Sequence, residues 1–337
     1  MFEHERVEIV RGDRSGLPIV VALHSTAAGM AVGGCRMWRY PRWQDGLEDA
    51  LRLSAAMTAK CAAAGLEHGG GKTVVGLPSN GNEALRRQAL LDVGDIIESL
   101  DGSYATGPDV GTSPEDMVII GERTRFACCQ PEEHGGSGDS SPHTARGVLA
   151  AIKATCAHLF GEKDLNGRTI AIVGLGHVGG ELASILASQG AALTVSDTDQ
   201  GRRARADELG AMWTDPEDAL TTPVDVLVPA AIGGMITADL VPRLRCEAIV
   251  GPANNQLATD HVADLLQDKG ICWVPDYIAS AGGVAYAVRR ELDGMDRETA
   301  TAAVERIGDT VAGILAAAHQ ESTTPWRIAA DRFGKGR

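Results

Sequence analysis

The sequence lacks the features that would mark a membrane, secreted or metal-binding protein. Its 337 residues contain no apolar run of membrane-spanning length, and the polar opening Met1–Arg6 does not resemble a secretory leader. The nine histidines show no HExxH or other ligand spacing. We therefore expect a cytoplasmic protein that holds no metal.

A basic surface is also missing. The chain has 31 Lys and Arg against 45 Asp and Glu, a formal net charge of −14, with neither a basic run nor a basic amphipathic helix. Nucleic acids and anionic membranes attract proteins through positive charge. Neither is an expected partner.

Paired cysteines are not evident either. The seven cysteines are odd in number and scattered, with no C-x-x-C pair. Adjacent residues such as Cys128 and Cys129 have poor geometry for a disulfide. Reduced, mostly buried thiols are expected.

The order of predicted elements indicates an α/β protein of two domains, which the length also favours. A polar stretch rich in Gly, Ser and Pro over 131–142 is typical of a hinge. After it, a helix over about 144–160 leads into regular β-α alternation, typical of a parallel sheet with helices on both faces. We expect an α/β substrate and oligomerisation domain over 1–135 and a doubly wound Rossmann domain over 143–284. The C-terminal helices, 285–337, are expected to return to the first domain.

Two helices of the first domain have clear start signals. One is predicted from Asp45, which forms a capping box with Glu48, to Gly65, with Lys60 in its last turns. The other begins with an N-cap, a proline and an acid at Ser113–Asp116.

Lys72 follows three consecutive glycines, Gly69–Gly71. A segment without Cβ atoms can adopt positive φ and deliver the next side chain into the cleft that it borders. A Walker loop is excluded, because Lys72–Leu77 is typical of a β-strand and not of a helix start. The segment alone is equally consistent with a turn and with an active site. In a dry cleft near another cation such as Lys60, the pKa of Lys72 would fall towards that of a general base.

A nucleotide-binding loop is predicted between a strand and a helix. The apolar strand Thr169–Val173 precedes a Gly-x-Gly-x-x-Gly sequence, and a helix is predicted over Val178–Gln189. Such glycines allow a tight turn, the approach of a pyrophosphate to the helix N-terminus, and close helix–strand packing. The residues expected at the cofactor are Gly174, Gly176, His177, Val178 and Gly179, with His177 as a wall residue and not an acid or base.

The next strand favours NAD as the cofactor. Ala192–Ser196 ends at Asp197, where a carboxylate accepts the ribose hydroxyls of a dinucleotide. The same charge repels a 2′-phosphate. Arg202, Arg203 and Arg205 leave NADP open, although arginines on a following helix also fit a solvated face.

Together these motifs resemble those of the glutamate/leucine/phenylalanine/valine dehydrogenase superfamily, and of the smaller leucine, valine and phenylalanine dehydrogenases in particular. The resemblance covers nearly the whole chain. In chain order the motifs are Gly33–Trp38, Met57–Lys60, Gly69–Lys72, Gly107–Thr112, Gly174–Gly179, Ala253–Asn255, Pro275–Tyr277 and Ala281–Gly283.

The resemblance implies reversible, NAD-dependent oxidative deamination of an L-amino acid to a 2-oxo acid and ammonia, by a homo-oligomer built through the N-terminal domain. It makes Lys60 the cation that holds the substrate carboxylate and Lys72 the lysine that activates water for attack on the imine. Asp109 becomes the acid/base at the amino nitrogen. The alternatives are a surface cation for Lys60 and a turn residue for Asp109. The substrate is expected in a cleft between the two domains.

The same resemblance implies the substrate pocket. Gly33 and Gly34 give room beside the substrate, while Val32, Gly107 and the helix over 307–314 line the side-chain pocket. Small residues there, and no evident cation for a second carboxylate, favour a branched aliphatic or aromatic side chain over glutamate.

Three further residues are implied in the cofactor site. Asn254 and Asn255 follow a strand and would contact the nicotinamide ribose or carboxamide, unless they form a turn. Ala230 stands where the family often has cysteine, which we interpret as a packing change.

The chain departs from the family pattern most clearly at Ser280, where asparagine is usual and helps to bind the substrate carboxylate and the cofactor. Serine offers one donor where an amide offers two. The change leaves open a specialised relative that acts on an unusual substrate in a biosynthetic pathway. A non-catalytic NAD-binding regulatory protein is a further alternative, which the presence of Lys72 and Asp109 disfavours.

Overall fold

The computed structural model describes residues 3–78 and 82–334 and divides them into two compact units. The first unit contains the described residues up to Ser140, the segment Ala287–Arg297, and the described end of the chain from Phe333. The second contains Ser141–Tyr286 and Glu298–Arg332. The α/β class and the parallel Rossmann sheet predicted from the sequence are confirmed.

The first unit is built on a mixed five-stranded sheet with the order β1-β2-β4-β3-β5. Strand β2 is antiparallel to β1 and β4, whereas β3 is parallel to both β4 and β5. The strands are β1 (Arg6–Arg11), β2 (Pro18–Ser25), β3 (Ala31–Trp38), β4 (Gly69–Gly76) and β5 (Tyr104–Pro108). The helices are α1 (Trp43–Ala63), α2 (Glu83–Ser99) and α3 (Pro114–Gly121).

The second unit has a fully parallel six-stranded sheet with the order β11-β10-β9-β6-β7-β8. Its strands are β6 (Thr169–Val173), β7 (Ala192–Ser196), β8 (Met212–Trp213), β9 (Val224–Pro229), β10 (Cys246–Ile249) and β11 (Cys272–Trp273). The sheet order reverses between β6 and β9, so the loops after these two strands lie where such sheets bind ligands.

Ten helices complete the part of the chain that the structure describes. They are α4 (Ser141–Phe160), α5 (His177–Ser188), α6 (Arg203–Glu208), α7 (Pro216–Thr221), α8 (His261–Asp268), α9 (Asp276–Ala279), α10 (Gly282–Ala287), α11 (Arg297–Glu305), α12 (Ile307–Glu321) and α13 (Pro325–Phe333). Within the described residues no helix is both long and apolar enough to cross a membrane.

The loop predicted for Gly69–Gly71 is wrong, because all three glycines lie inside strand β4 and none has a positive φ. Their missing side chains allow close packing instead. A Cβ at Gly70 would lie 2.1 Å from the backbone nitrogen of Thr58 on α1, and one at Gly71 would lie 2.6 Å from the ring of Tyr104. The glycines therefore let helix and strand backbones approach each other.

Two helix starts are close to those predicted. Helix α3 begins as expected, with the Ser113 hydroxyl accepting from the backbone N–H of Asp116. Helix α1 begins two residues before Asp45, which stands at its third position and accepts from the backbone N–H of Arg42 at 3.0 Å. Gly65 follows the helix with a φ of 64°, as a C-terminal glycine does.

The C-terminal region differs from the predicted return of 285–337 to the first unit. Only Ala287–Arg297 and the end of the chain belong there, since α12 packs along α4 in the second unit. The physical reason is the apolar face of α12, on which residues such as Ile307 and Val311 are buried.

The returning segment is held to the first unit by polar contacts. The carboxylate of Glu291 accepts from the backbone N–H groups of Cys129 at 2.9 Å and Ser137 at 2.8 Å. Arg289 donates to the carbonyl of Gly65 at 2.9 Å. Glu291 thus satisfies one backbone donor within the polar stretch 131–142 and one just before it.

Candidate active site

Three neighbouring parallel strands bring together the charged residues of the first unit. In the register of the sheet, Cys35 of β3 lies opposite Thr73 of β4 on one side and Pro108 of β5 on the other. Lys72 is one residue before Thr73, and Asp109 directly follows Pro108. Since side chains alternate across a sheet, the residues flanking Cys35 share the face opposite to it.

The side chains of Lys72, Asp109 and Arg36 form one ionic cluster. Lys72 Nζ lies 2.9 Å from Asp109 Oδ2, and Arg36 Nε donates to the same oxygen at 2.7 Å. The side chain of Lys72 is only 5% exposed and that of Asp109 is 23% exposed. The structure thus joins the two predicted catalytic residues and adds a third residue that the sequence analysis did not assign.

Gly34 provides the space for this cluster. A Cβ at Gly34 would lie 2.7 Å from Asp109 Cβ and 3.1 Å from Lys72 Nζ. The expected room beside the substrate at Gly34 is therefore, in this structure, room for the ion pair. A Cβ at Gly33 would instead lie 1.8 Å from the carbonyl oxygen of Gly71, so Gly33 allows β3 and β4 to pack.

The electrostatics keep Asp109 ionised. Burial on its own would raise the pKa of Asp109, but the positive charges of Lys72 and Arg36 outweigh it and hold that pKa well below its usual range. Asp109 is therefore a carboxylate at neutral pH. As such it can accept a proton or a hydrogen bond.

A second carboxylate, Asp49 of α1, extends the cluster. Arg36 Nη1 donates to Asp49 Oδ2 at 2.8 Å, and the Tyr40 hydroxyl donates to the same oxygen at 2.7 Å. The sequence analysis missed Asp49 and Tyr40, and it quoted Arg36 only within a motif. The available signal was the spacing of Gly34 and Arg36, which places both on one face of a strand.

Three other residues predicted in the substrate site, Val32, Gly107 and Lys60, lie on the same sheet or on α1, whereas Ser280 lies in the second unit. Val32 is buried on β3, and Gly107 lies on β5 opposite Gly34. A Cβ at Gly107 would be 3.6 Å from the sulfur of Cys129, which is ordinary contact distance. Lys60 is in the last turn of α1, the helix that packs on β4. Its role as carboxylate anchor stays a prediction.

The glycine-rich loop of the second unit fits a dinucleotide. Gly174 has a φ of 108°, and a Cβ there would lie 2.9 Å from the backbone of Ala230. A Cβ at Gly179 would be 2.1 Å from the carbonyl oxygen of Gly174, whereas at Gly176 it would meet no atom within 4 Å. The loop therefore has a tight turn at its first glycine, open space at its second and close packing at its third, as pyrophosphate binding requires.

Helix α5 begins at His177, so its N-terminal N–H groups can face an anion. His177 is exposed and Val178 is half-buried. Both follow Gly176, the N-cap of the helix, which agrees with the positions expected for cofactor contacts.

Asp197 is fixed beside this loop. One carboxylate oxygen accepts from the backbone N–H of Leu175 at 2.7 Å, and the other accepts from that of Asp199 at 2.9 Å. Arg202 also approaches, with Nε 3.6 Å from Asp197 Oδ2, and donates to the Leu175 carbonyl. A carboxylate has about four lone-pair positions. Asp197 therefore keeps acceptor capacity for a ribose.

Asn254 and Asn255 follow β10, at the carboxyl edge of the sheet. Asn255 has a φ of 52°, and its carbonyl accepts from the N–H of Gly234 at 2.6 Å. The adjacent Gln256 is fully buried and donates to the Gly251 carbonyl at 2.7 Å. This loop is thus rigidly held, partly by Gln256, a residue that the sequence analysis did not single out.

Ser280 lies at the end of α9 and is 7% exposed. Its backbone N–H donates to the carbonyl of Asp276 at 2.8 Å. Among the described residues no group pairs with its buried hydroxyl. Asp276 also accepts from the N–H of Gln256 at 2.9 Å, so Ser280 and the loop after β10 share one anchor.

Comparisons with known proteins match both units of the chain. The family description "Glu/Leu/Phe/Val dehydrogenase, dimerisation domain" matches residues 5–126, and "Glutamate/Leucine/Phenylalanine/Valine dehydrogenase" matches residues 202–334. The NAD-binding domain of D-isomer specific 2-hydroxyacid dehydrogenases matches residues 148–247. The fold and the site define a dehydrogenase that uses a nicotinamide cofactor.

Individual relatives show which dehydrogenases this chain is similar to. The chain is 40% identical to leucine dehydrogenase from Thermoactinomyces intermedius over 339 residues, covering 100% of this chain and 91% of the relative. It is 42% identical to phenylalanine dehydrogenase from Lysinibacillus sphaericus over 302 residues, or 88% and 78% of the two chains. The crystal structure of L-tryptophan dehydrogenase from Nostoc punctiforme aligns with a TM-score of 0.83 at 32% identity, covering 99% of this chain and 97% of that one. This chain belongs to the glutamate/leucine/phenylalanine/valine dehydrogenase family, which confirms the resemblance inferred from its motifs.

We predict that Gly34→Ala lowers dehydrogenase turnover about 100-fold, because the added methyl group displaces Asp109 from Lys72 and small misplacements of reacting groups are costly. Initial-rate kinetics measure the effect, and circular dichroism checks that the variant folds. A folded variant within threefold of wild type would show that the ion pair tolerates the methyl group.

Proposed function

We propose that the protein catalyses the reversible NAD-dependent oxidative deamination of an L-amino acid with an apolar side chain to the 2-oxo acid and ammonia. The observation that carries the proposal is the buried ion pair of Lys72 and Asp109, 2.9 Å apart, in a member of an amino-acid dehydrogenase family. Burying an ammonium and a carboxylate side by side is costly and is typical of a site built for proton transfer.

The residues supply the proton steps of this reaction. Asp109 accepts a proton from the substrate ammonium, and the bound cofactor supplies the acceptor for the hydride that leaves Cα. With Asp109 neutral, Lys72 passes one proton to solvent and takes part in the next step as an amine. Lys72 then removes a proton from water as its oxygen adds to the imine carbon. Asp109 returns its proton to nitrogen. The C–N bond then breaks to release ammonia, as the Asp109 carboxylate takes the proton of the new hydroxyl group and the C=O bond forms.

Substrate binding falls to neighbouring residues. In this proposal Lys60 holds the substrate carboxylate, and Val32 with Gly107 bounds the side-chain pocket. Val32 is 4% exposed and apolar, which suits an aliphatic or aromatic side chain. The leucine and phenylalanine specificities in the names of the relatives support the same class of substrate.

NAD is the proposed cofactor because Asp197 is the acidic residue at the ribose position. Its two oxygens accept from Leu175 and Asp199, which fixes the carboxylate where a 2′-phosphate would be repelled. Arg202 offsets part of this charge. A homo-oligomer built through the first unit is also proposed, in keeping with the dimerisation domain named for residues 5–126.

A substrate panel tests the proposed reaction directly. With ammonia and NADH, branched aliphatic and aromatic 2-oxo acids should consume NADH, followed by its absorbance, at least about 10-fold faster per active site than 2-oxoglutarate, since the apolar side chain of Val32 suits a second carboxylate poorly. The same panel with NADPH should be slower at equal concentration. Turnover confined to 2-oxoglutarate, or to NADPH, would contradict the proposal.

A second prediction concerns the lysine. Lys72→Ala should abolish deamination, a loss of at least about 100-fold, because in the proposed reaction Lys72 is the group that takes the proton from water. NADH binding, measured by fluorescence titration, should be unchanged, since the Gly174–Gly179 loop belongs to the second unit. Turnover within about tenfold of wild type would remove Lys72 from the mechanism.

Ser280 supports a second candidate function, a specialised dehydrogenase for an unusual amino acid. The observation in its favour is the buried hydroxyl of Ser280, which no described group satisfies. A polar atom of the substrate could satisfy it.

Ser280→Asn should therefore lower KM for a standard apolar amino acid several-fold, because the amide restores a second donor. Ser280→Ala is the matched control and should not lower that KM. Steady-state kinetics with both variants measure the effect. An unchanged or higher KM in Ser280→Asn would count against a specialised substrate.

A further inference from the structure

We propose that Arg36 is a positioning residue for the reaction at Asp109. Its guanidinium donates a hydrogen bond to Oδ2 of Asp109 and keeps the carboxylate charged. Oδ1 is then left to face the substrate nitrogen. This inference rests on the proposed function for its kinetic consequences. Its structural basis is independent of the substrate.

The guanidinium of Arg36 bridges two carboxylates. Nε donates to Asp109 Oδ2 at 2.7 Å, and Nη1 donates to Asp49 Oδ2 at 2.8 Å. The Arg36 side chain is 19% exposed, so solvent competes little with these bonds. Two nitrogen atoms of one planar group fix its orientation as a single bond could not.

Asp49 is itself immobilised, which makes it a firm anchor for Arg36. The Tyr40 hydroxyl donates at 2.7 Å to Asp49 Oδ2, the same oxygen that Arg36 contacts. Arg52 donates at 2.7 Å to the other oxygen, Oδ1, and does not hold the oxygen that anchors Arg36. The Asp49 side chain is 15% exposed, whereas that of Arg52 is 43% exposed. The chain of contacts therefore runs from the body of α1 through Arg36 to Asp109.

Asp109 needs a second cation because its first one changes charge. Lys72 must be protonated in one step of the proposed reaction and an amine in another, so its attraction for Asp109 varies. Arg36 cannot lose its proton in a protein. It therefore provides a constant positive charge and a fixed contact while Lys72 loses and regains a proton.

The position of the bonds supports this division of roles. Both cations approach Oδ2, at 2.7 Å and 2.9 Å, and none of the residues described in the structure donates to Oδ1. The backbone of Asp109 is held as well, since its N–H donates to the Thr112 hydroxyl at 2.9 Å. With the backbone and one oxygen fixed, the other oxygen has a defined direction.

Other titratable groups around Asp109 stay neutral or paired in the working pH range. Burial raises the pKa of the Cys35 thiol to about 12, and burial also raises the pKa of the Tyr104 hydroxyl above its usual value. Beyond Cys35, Asp116 of α3 is paired with Arg86 of α2. The charges that act on Asp109 are then those of Lys72, Arg36 and, through Arg36, Asp49.

The sign of the pH effect follows from this arrangement. Burial favours the neutral acid at Asp109, and the two cations overcome it, so the pKa of Asp109 lies far below its usual value. Removing Arg36 leaves burial opposed by Lys72 alone, and the pKa rises. Deamination needs the carboxylate, so the activity of the variant should be lost on the acid side at a higher pH than in wild type.

The decisive variants are Arg36→Gln, Arg36→Lys and Arg52→Gln. Arg36→Gln should lower kcat for deamination about 100-fold with KM changed less than about threefold. It should also move the acid limb of the kcat profile up by about one pH unit or more, the usual effect of one nearby charge. Arg36→Lys should bring the acid limb most of the way back to its wild-type pH but should restore little of the lost kcat. The reason is that an ammonium restores the positive charge but not the planar group that bridges Asp109 and Asp49.

Arg52→Gln is the matched control. It also removes an arginine that donates to Asp49, but at a more exposed position and with no contact to Asp109. Its kcat should stay within about twofold of the wild-type value. The acid limb of its kcat profile should stay within about 0.2 pH units of the wild-type position. Equal effects of Arg52→Gln and Arg36→Gln would overturn the proposal, as would an unshifted acid limb in folded Arg36→Gln.

A measurement without turnover separates this inference from the proposed function. Carboxyl ¹³C NMR with labelled aspartate, assigned through Asp109→Asn, follows the titration of Asp109 in wild type and in Arg36→Lys or Arg36→Gln. A higher pKa for Asp109 in Arg36→Gln than in wild type supports the inference even if no amino acid is turned over. An unchanged pKa overturns it even if the enzyme is active. If Arg36→Gln does not fold, Tyr40→Phe, which loosens the Asp49 anchor, should lower kcat more than Arg52→Gln does, and an equal or smaller loss overturns the proposal.

Discussion

The site depends on one close approach, between the side chains of Lys72 and Asp109 above a residue that has no side chain. The two charged groups come from strands on either side of β3, and the atom that would separate them is the missing Cβ of Gly34. An isolated buried ammonium is too costly to persist. The ion pair, and with it the burial of Lys72, is therefore a consequence of a glycine in the middle strand.

The charges around the Lys72–Asp109 pair are also balanced. Lys72 and Arg36 contribute two positive charges, and Asp109 and Asp49 contribute two negative ones, so the charges of these four side chains sum to zero, with the exposed Arg52 at the edge of the group. An amino acid also enters as a zwitterion with no net charge. An amino acid bound beside these four side chains would therefore leave the sum of charges at zero, which avoids the large penalty of burying an unpaired ion.

The sequence predicted more of the nucleotide-binding half than of the substrate half. The strand Thr169–Val173, the glycine loop and Asp197 follow one another along the chain, so local pattern is sufficient to predict them. Arg36 and Asp109 are far apart in sequence and meet only through the order β4-β3-β5, which no local pattern contains. The glycines before Lys72 were misassigned to a loop for the same reason. Their function is to make room for Thr58 and Tyr104, and those neighbours are set by tertiary packing.

The surroundings of Ser280 and of Asp109 differ in how many polar partners they provide. The cluster around Asp109 has a partner for nearly every charged atom, so a substitution there disturbs several bonds at once. The hydroxyl of Ser280 has no described partner, and a buried hydroxyl without one costs about 1–3 kcal/mol. A ligand atom that satisfies it recovers that free energy, and a ligand that cannot reach it does not. Such a difference corresponds to a factor of about 5 to 150 in affinity, so a ligand that reaches this hydroxyl is strongly favoured over one that does not.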